Sequence, residues 1–151
     1  MVYTPVGPRC PECAAARRLP TYDVSPVYYA RGLGAGIGLA VVSGLVWGLI
    51  GGYVFLFSIL IALGVGYAVG EGISLSVKRK RGLGLQVIAG VSVLLAAVVS
   101  NLWRLSGPTH QALLDASWVL ATADQAFLRV VDSPWSLIFV GAAIFMAVRR
   151  L

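Results

Sequence analysis

The two cysteines of the chain stand three residues apart, as Cys10-Pro11-Glu12-Cys13. That spacing suits a zinc knuckle, in which two thiolates grip one side of a tetrahedral ion. Two thiolates are half of a structural site. The single histidine, His110, lies far down the chain and, in the topology below, across the membrane. Zinc is therefore the one cofactor that the sequence suggests, at an incomplete site. A tail that binds no metal is the alternative. The second residue with chemistry to offer is Glu71, in Gly70-Glu71-Gly72, the one formal charge in residues 32–76. A carboxylate inside an apolar span is a candidate ion or proton site. It stands only seven residues before Lys78, about 10 Å along a helix, so it sits nearer one end of the span than its middle. A structural pair with Arg31, Lys78 or Gln86 is the alternative. No phosphate loop, nucleophile triad or paired carboxylates occur, and the sequence reads as non-enzymatic.

These residues hang on an unusually apolar frame. Of the 151 residues, 58% are hydrophobic and 12% charged, against about 25% charged in a typical soluble domain. The expected fold is all-α, an integral membrane helical bundle of four transmembrane helices with an outer interfacial amphipathic helix. Residues 1–28 form a cytoplasmic tail with the partial knuckle, and residues 29–151 form the membrane domain. The opening residues have no apolar core of the kind that a cleaved signal peptide carries. The spans are predicted at 29–50, 53–77, 83–105 and 134–148, with Gly51-Gly52 as the turn between the first two. The last is short, and depends on Arg149 and Arg150 reaching back to the interface.

Charge orients the bundle. With the N-terminus in the cytoplasm, ten of the twelve basic residues fall inside and only Arg104 and Arg129 fall outside, as the positive-inside rule expects. Trp47, Trp103, Trp118 and Trp135 then lie near the outer boundary, where amphipathic rings prefer to sit. The chain is thus expected in the cell membrane, multi-pass, with both termini cytoplasmic. The formal net charge of +6 does not point to nucleic acid, because the basic residues flank apolar spans instead of forming a patch interleaved with aromatics.

Residues 109–131 are more than a loop. Asp115, Thr122, Arg129 and Asp132 recur at helical spacing, with Leu113, Leu114, Trp118, Ala121, Leu128 and Val131 largely on the other side. Ser106-Gly107-Pro108-Thr109 reads as a turn and helix start. This segment is expected to lie in the outer interface, since Asp115, Asp124 and Arg129 are costly in hydrocarbon. A longer, bent fourth crossing is the alternative.

Small residues recur every fourth position in the first span, at Gly32, Gly36, Ala40, Gly44, Gly48 and Gly52. The second span has its own series at Ser58, Ala62, Gly66, Gly70 and Ser74. Such stripes let helix backbones approach where lipid gives no hydrophobic drive. The expected packing sets stripe against stripe in the hairpin of the first two spans. Any unused face serves association with a second copy or another membrane protein.

The run Thr4-Pro5-Val6-Gly7-Pro8-Arg9-Cys10-Pro11-Glu12-Cys13 resembles the closing segment of B-box-type zinc fingers at the cytoplasmic N-terminus of some bacterial membrane proteins. Gly66-Tyr67-Ala68-Val69-Gly70-Glu71, followed by Lys78-Arg79-Lys80-Arg81-Gly82, resembles the uncharacterised hydrophobic domains that follow such fingers. The resemblance implies zinc at Cys10 and Cys13, with earlier ligands that this sequence lacks. A start further upstream accounts best for the lack, then decay of the finger, or two chains sharing one four-thiolate site. Some such fingers precede rhomboid proteases. Val41-Val42-Ser43-Gly44 lacks the leading glycine of the rhomboid serine motif, and four spans are too few. The function expected is that of a non-enzymatic small membrane protein working through helix association, as an accessory subunit or homo-oligomer. The alternative is a channel or transporter subunit using Glu71.

Overall fold

Backbone amides in an apolar chain must find partners within the chain, and helices supply them locally. The computed structural model describes residues 2–4, 7–9, 25–50, 55–79 and 82–151. Five α-helices make up its body: α1 Pro26–Ile50, α2 Phe55–Ser76, α3 Leu83–Leu105, α4 Ala116–Asp132 and α5 Pro134–Arg149. The tail adds a two-strand antiparallel ribbon, β1 Val2–Thr4 and β2 Gly7–Arg9, with Val2 opposite Arg9 and Thr4 opposite Gly7. The helical body matches the all-α expectation, and the ribbon is an addition to it. Cys10, Cys13 and the Gly51-Gly52 turn, with Gly52, lie outside the described residues.

Local chemistry sets the helix ends. Pro26 and Pro134 open α1 and α5, where a missing N–H costs nothing and the fixed φ suits a first turn. At the end of α2, the Arg79 N–H donates to the Ser74 carbonyl at 2.7 Å, with Lys78 and Arg79 in the left-handed region. The α4 start differs from the sequence expectation. Residues 111–114 form a single 3-10 turn, and α4 begins only at Ala116. Asp115 is its cap and not part of its polar face: its carboxylate accepts from the Ser117 N–H at 3.0 Å and the Ser117 hydroxyl at 2.7 Å. These bonds hold the Asp115 carboxyl below its ordinary pKa, the side-chain bond most of all.

Among the described residues three helices, α1, α2 and α3, are long and apolar enough to cross a membrane. At 16 residues α5 is shorter, about 24 Å. It joins α4 through the extended Ser133 at a bend of 93°, and the pair makes a fourth span only if both helices are taken together. Among the described residues the four separate crossings of the sequence reading become three candidate spans, or four with the bent pair. A right-angle elbow also separates the directions of α4 and α5, so α4 is no straight continuation of a crossing.

The helices pack in a ring: α1 against α3, α3 against α5, α5 against α2, and α2 against α1, with α4 laid on α3. The fully buried side chains are mostly small or β-branched, among them Ala40, Ala62, Val69, Ala89, Val93, Ala96, Ala143 and Ala147. Ile73 and Leu85 are the largest of them. Two of the buried serines bond to their own helices, Ser92 to the Ile88 carbonyl and Ser100 to that of Ala97, each at 2.8 Å. The large apolar side chains point outward, for example Leu33, Val42, Leu60, Val87 and Phe145.

The glycine stripes do not meet each other. The stripe of α1 lies on α3: a Cβ built on Gly44 would stand 2.6 Å from the Ala96 carbonyl oxygen, and one on Gly48 would stand 2.9 Å from Trp103 Cβ. Gly36 faces the Ser92 hydroxyl, and Ala40 is fully buried between them. The stripe of α2 lies on α5, with Gly66 against the Ala143 backbone and Gly70 against Ala147. The hairpin neighbours α1 and α2 touch along a different line, where Leu39 fits over Gly72. The stripe-on-stripe hairpin is thus corrected. A smooth stripe accepts any helix, and here the third and last helices supply better-matched backbone and alanine surfaces.

Candidate functional site

Two polar clusters sit at opposite ends of the bundle. The first surrounds Glu71 on α2. Its carboxylate is 3.8 Å from the Arg150 guanidinium and 4.0 Å from that of Arg79. Arg150 also lies over the Tyr67 ring, 4.3 Å from its centroid. Tyr67 and Glu71 are one helical turn apart, so α2 offers one face that grips the end of α5 through ring and carboxylate together. The partners named from the sequence, Arg31, Lys78 and Gln86, are not the ones used. The contacts are at the long limit of ion pairing and the side chains are partly exposed, 29% for Glu71 and 45% for Arg150. Such a pair is worth about 0–1 kcal/mol.

The second cluster lines a cavity of about 680 Å³ at the end where α4 crosses the bundle. Each helix contributes. From α3 come Ser100, Asn101 and Arg104, from α4 Arg129 and Asp132, and from the elbow and α5 Ser133, Trp135 and Ser136. Trp47 of α1 and Ser58 of α2 complete the wall, and Ala97, Phe139 and Val140 give an apolar floor. Asn101 ties α3 to α4 by donating to the Ala126 carbonyl at 3.3 Å. That bond sets the face of α4. Ala126 and Val130 are buried against the bundle, while Leu128 and Val131 of the expected apolar face are exposed. Beside the cavity, His110 stacks on Trp103 with ring centroids 3.8 Å apart and shares a 2.8 Å hydrogen bond with the Ser106 hydroxyl.

Among the described residues, Arg104, Arg129 and Asp132 form no ion pair and no side-chain hydrogen bond. The Ser133 and Ser136 hydroxyls also carry no hydrogen bond there. The cavity therefore holds two guanidinium groups against one carboxylate, with unspent donors around them. Among the described residues no three of His, Cys, Asp and Glu come together as metal ligands.

Among the described residues the body of the fold is a helical bundle with three to four candidate membrane-spanning helices. Compared with protein-family models, with curated proteins and with solved structures, the chain matches none.

The packing residues read from the sequence fall at helix contacts in two separate sets. Gly36, Ala40, Gly44 and Gly48 serve α1 on α3, and Gly66 and Gly70 serve α2 on α5. Glu71 is apart from the cavity, and the cavity is what sequence reasoning missed. In the sequence Arg104 stood out only as a basic residue on the outer side, and Arg129 and Asp132 as part of the polar face of a helix. The available signal was that these residues, with Ser100, Ser133 and Ser136, gather at the ends of α3 and α4 and the start of α5, which the sequence topology puts on one side.

Proposed function

We propose that the chain is a multi-pass protein of the cell membrane, with both termini cytoplasmic, that works by association and not by catalysis. It would serve as a homo-oligomer or as an accessory subunit of another membrane protein. The inside-out distribution of side-chain size supports the lipid setting. Large apolar side chains, among them Leu33, Ile37, Val41 and Leu49 of α1 and Phe57, Leu60 and Leu75 of α2, cover most of the surface that neighbours leave open, the kind of exposed apolar surface that marks a membrane or partner contact. In lipid such a surface costs nothing, and small residues are free to serve the interior. The right angle between α4 and α5 supports α4 as the interfacial helix, with Leu120 and Phe127 exposed along one side.

One observation carries the association reading. After internal packing has consumed Gly36, Gly44, Gly48, Gly66 and Gly70, the pair Gly64 and Ala68 on α2 stays uncovered. It lines an apolar groove of about 380 Å³ between α1 and α2, with Val42 and Val46 on the opposite wall. A small pair four residues apart is a favourable contact surface for a further helix. Gly64→Leu tests this, because a Cβ there meets nothing within 4 Å and the rest of the side chain has the groove to occupy. Energy transfer between labelled copies in liposomes, and co-purification from native membranes, should both fall. A variant that associates as wild type overturns the role of this face.

A transport role for Glu71 has less support, since Arg79 and Arg150 flank the carboxylate. The tail, with Cys10 and Cys13 as two of four zinc ligands and its B-box-like run, would dock a cytoplasmic partner. Its second pair of ligands would come from upstream sequence or from another copy.

A further inference from the structure

We propose that the cavity beneath α4 binds a phosphate group, carried by an anionic lipid headgroup or by a free phosphate. Arg104 and Arg129 reach it from different helices, and neither is neutralised among the described residues. Asp132 is the one acid in the wall, so the lining keeps a net positive charge. Guanidinium groups bind phosphate through charge-assisted, paired N–H donors whose planar fork matches its oxygens. The Ser133 and Ser136 hydroxyls stand on the same wall with no hydrogen bond of their own among the described residues. They supply the neutral donors that an anion with several oxygens needs.

The volume of about 680 Å³ falls within the range of ligand pockets and well above that of a single trapped water. The lining is divided, with charge on one side and the apolar floor of Phe139 and Val140 on the other. That division suits an amphiphile. Trp47 and Trp135 in the same wall are the residue type that sits at headgroup depth. A cation is disfavoured, because two guanidinium groups oppose one carboxylate. The lipid source rests on the membrane reading above, and the free-phosphate source does not.

The test uses the full chain in dodecyl maltoside micelles. Calorimetric titration is run with inorganic phosphate and, separately, with short-chain phosphatidylglycerol. Binding of phosphatidylglycerol alone identifies the lipid headgroup, and binding of inorganic phosphate identifies the free anion or the phosphate group in general. In either case Arg104→Gln and Arg129→Gln should each weaken binding by about tenfold or more, the size of one charge-assisted contact. Asp132→Asn should tighten it by a few-fold, the size of a partly exposed charge interaction. A gain of affinity on losing Asp132 cannot arise from misfolding, so that variant keeps the test independent of folding. Arg149→Gln, at the opposite end of α5, should change nothing. If neither ligand binds, or if the double arginine variant binds as wild type, the proposal is wrong. Failure here leaves the association reading standing, since that rests on a different face.

Discussion

Gly70→Ala and Gly64→Ala make the same chemical change on the same helix and should move stability in opposite directions. A Cβ on Gly70 would stand 2.7 Å from the Ala147 carbonyl oxygen and 2.9 Å from its Cα, against an ordinary contact beginning near 3.4 Å. The clash is with backbone, so no side-chain rotation relieves it, and α2 and α5 must part by about 0.7 Å at that point. A gap of that size forfeits roughly a quarter to a half of each contact it opens. Overpacking of this kind costs about 1–3 kcal/mol. Alanine regains about 0.5–1 kcal/mol of helix propensity, so Gly70→Ala should destabilise by up to about 2.5 kcal/mol. At Gly64, where nothing lies within 4 Å, only the gain remains. The difference between the two variants removes the propensity term and isolates the contact, at about 1–3 kcal/mol. Reversible unfolding in dodecyl maltoside micelles titrated with dodecyl sulfate measures it, provided that both variants keep the same slope. Gly141→Ala, the corresponding open position on α5, is the control and should behave as Gly64→Ala. Equal effects at Gly70 and Gly64 would refute the close approach of α2 to α5.

Three further outcomes are expected. Glu71→Gln should lower stability by no more than about 1 kcal/mol, with the loss shrinking in high salt, and should leave ion flux through liposomes unchanged. Abolished flux would restore Glu71 as a transport site. The Asp115 cap should respond to acid. Its carboxyl is depressed in the folded state by the Ser117 bonds, so its contribution is present above the unfolded value of about 3.9 and is lost as pH falls through the lower folded value. Hydrogen-exchange protection at the start of α4, measured against the intrinsic rate at each pH, should therefore fall below about pH 4, and Asp115→Ala should show the reduced protection at neutral pH. Finally, zinc analysis of the purified protein should find metal that Cys10→Ser and Cys13→Ser together remove. Metal-free protein would leave the pair as a bare tail.

Much of the architecture was legible along the chain. Helix ends at 50, 83 and 105 followed from where apolar runs meet glycine, proline and charge. The elbow at Ser133 was visible only as a break before Pro134, because an angle of 93° depends on where two helices find partners. The start of α4 was read too early, since Thr109 and Asp115 are both cap residues. Only the bonds to Ser117 decide between them. The polar side of α4 was legible from its period, but which side the bundle covers was not: the Asn101 bond to Ala126 comes from another helix.

The sequence by itself determined the apolar helical class, the extent of its long helices, the asymmetry of its charge and the positions where backbones can approach. Each of these is local, a matter of hydropathy, length and residue size. Tertiary structure decided which helices use those positions, because a glycine stripe fits many partners and only the whole bundle chooses α3 for α1 and α5 for α2. It also decided the partner of Glu71, Arg150, which lies at the other end of the domain in sequence. The cavity belongs wholly to the tertiary level. Arg104, Arg129, Asp132 and Ser136 look like scattered residues until α4 folds back across the bundle and brings their polar groups to one cavity.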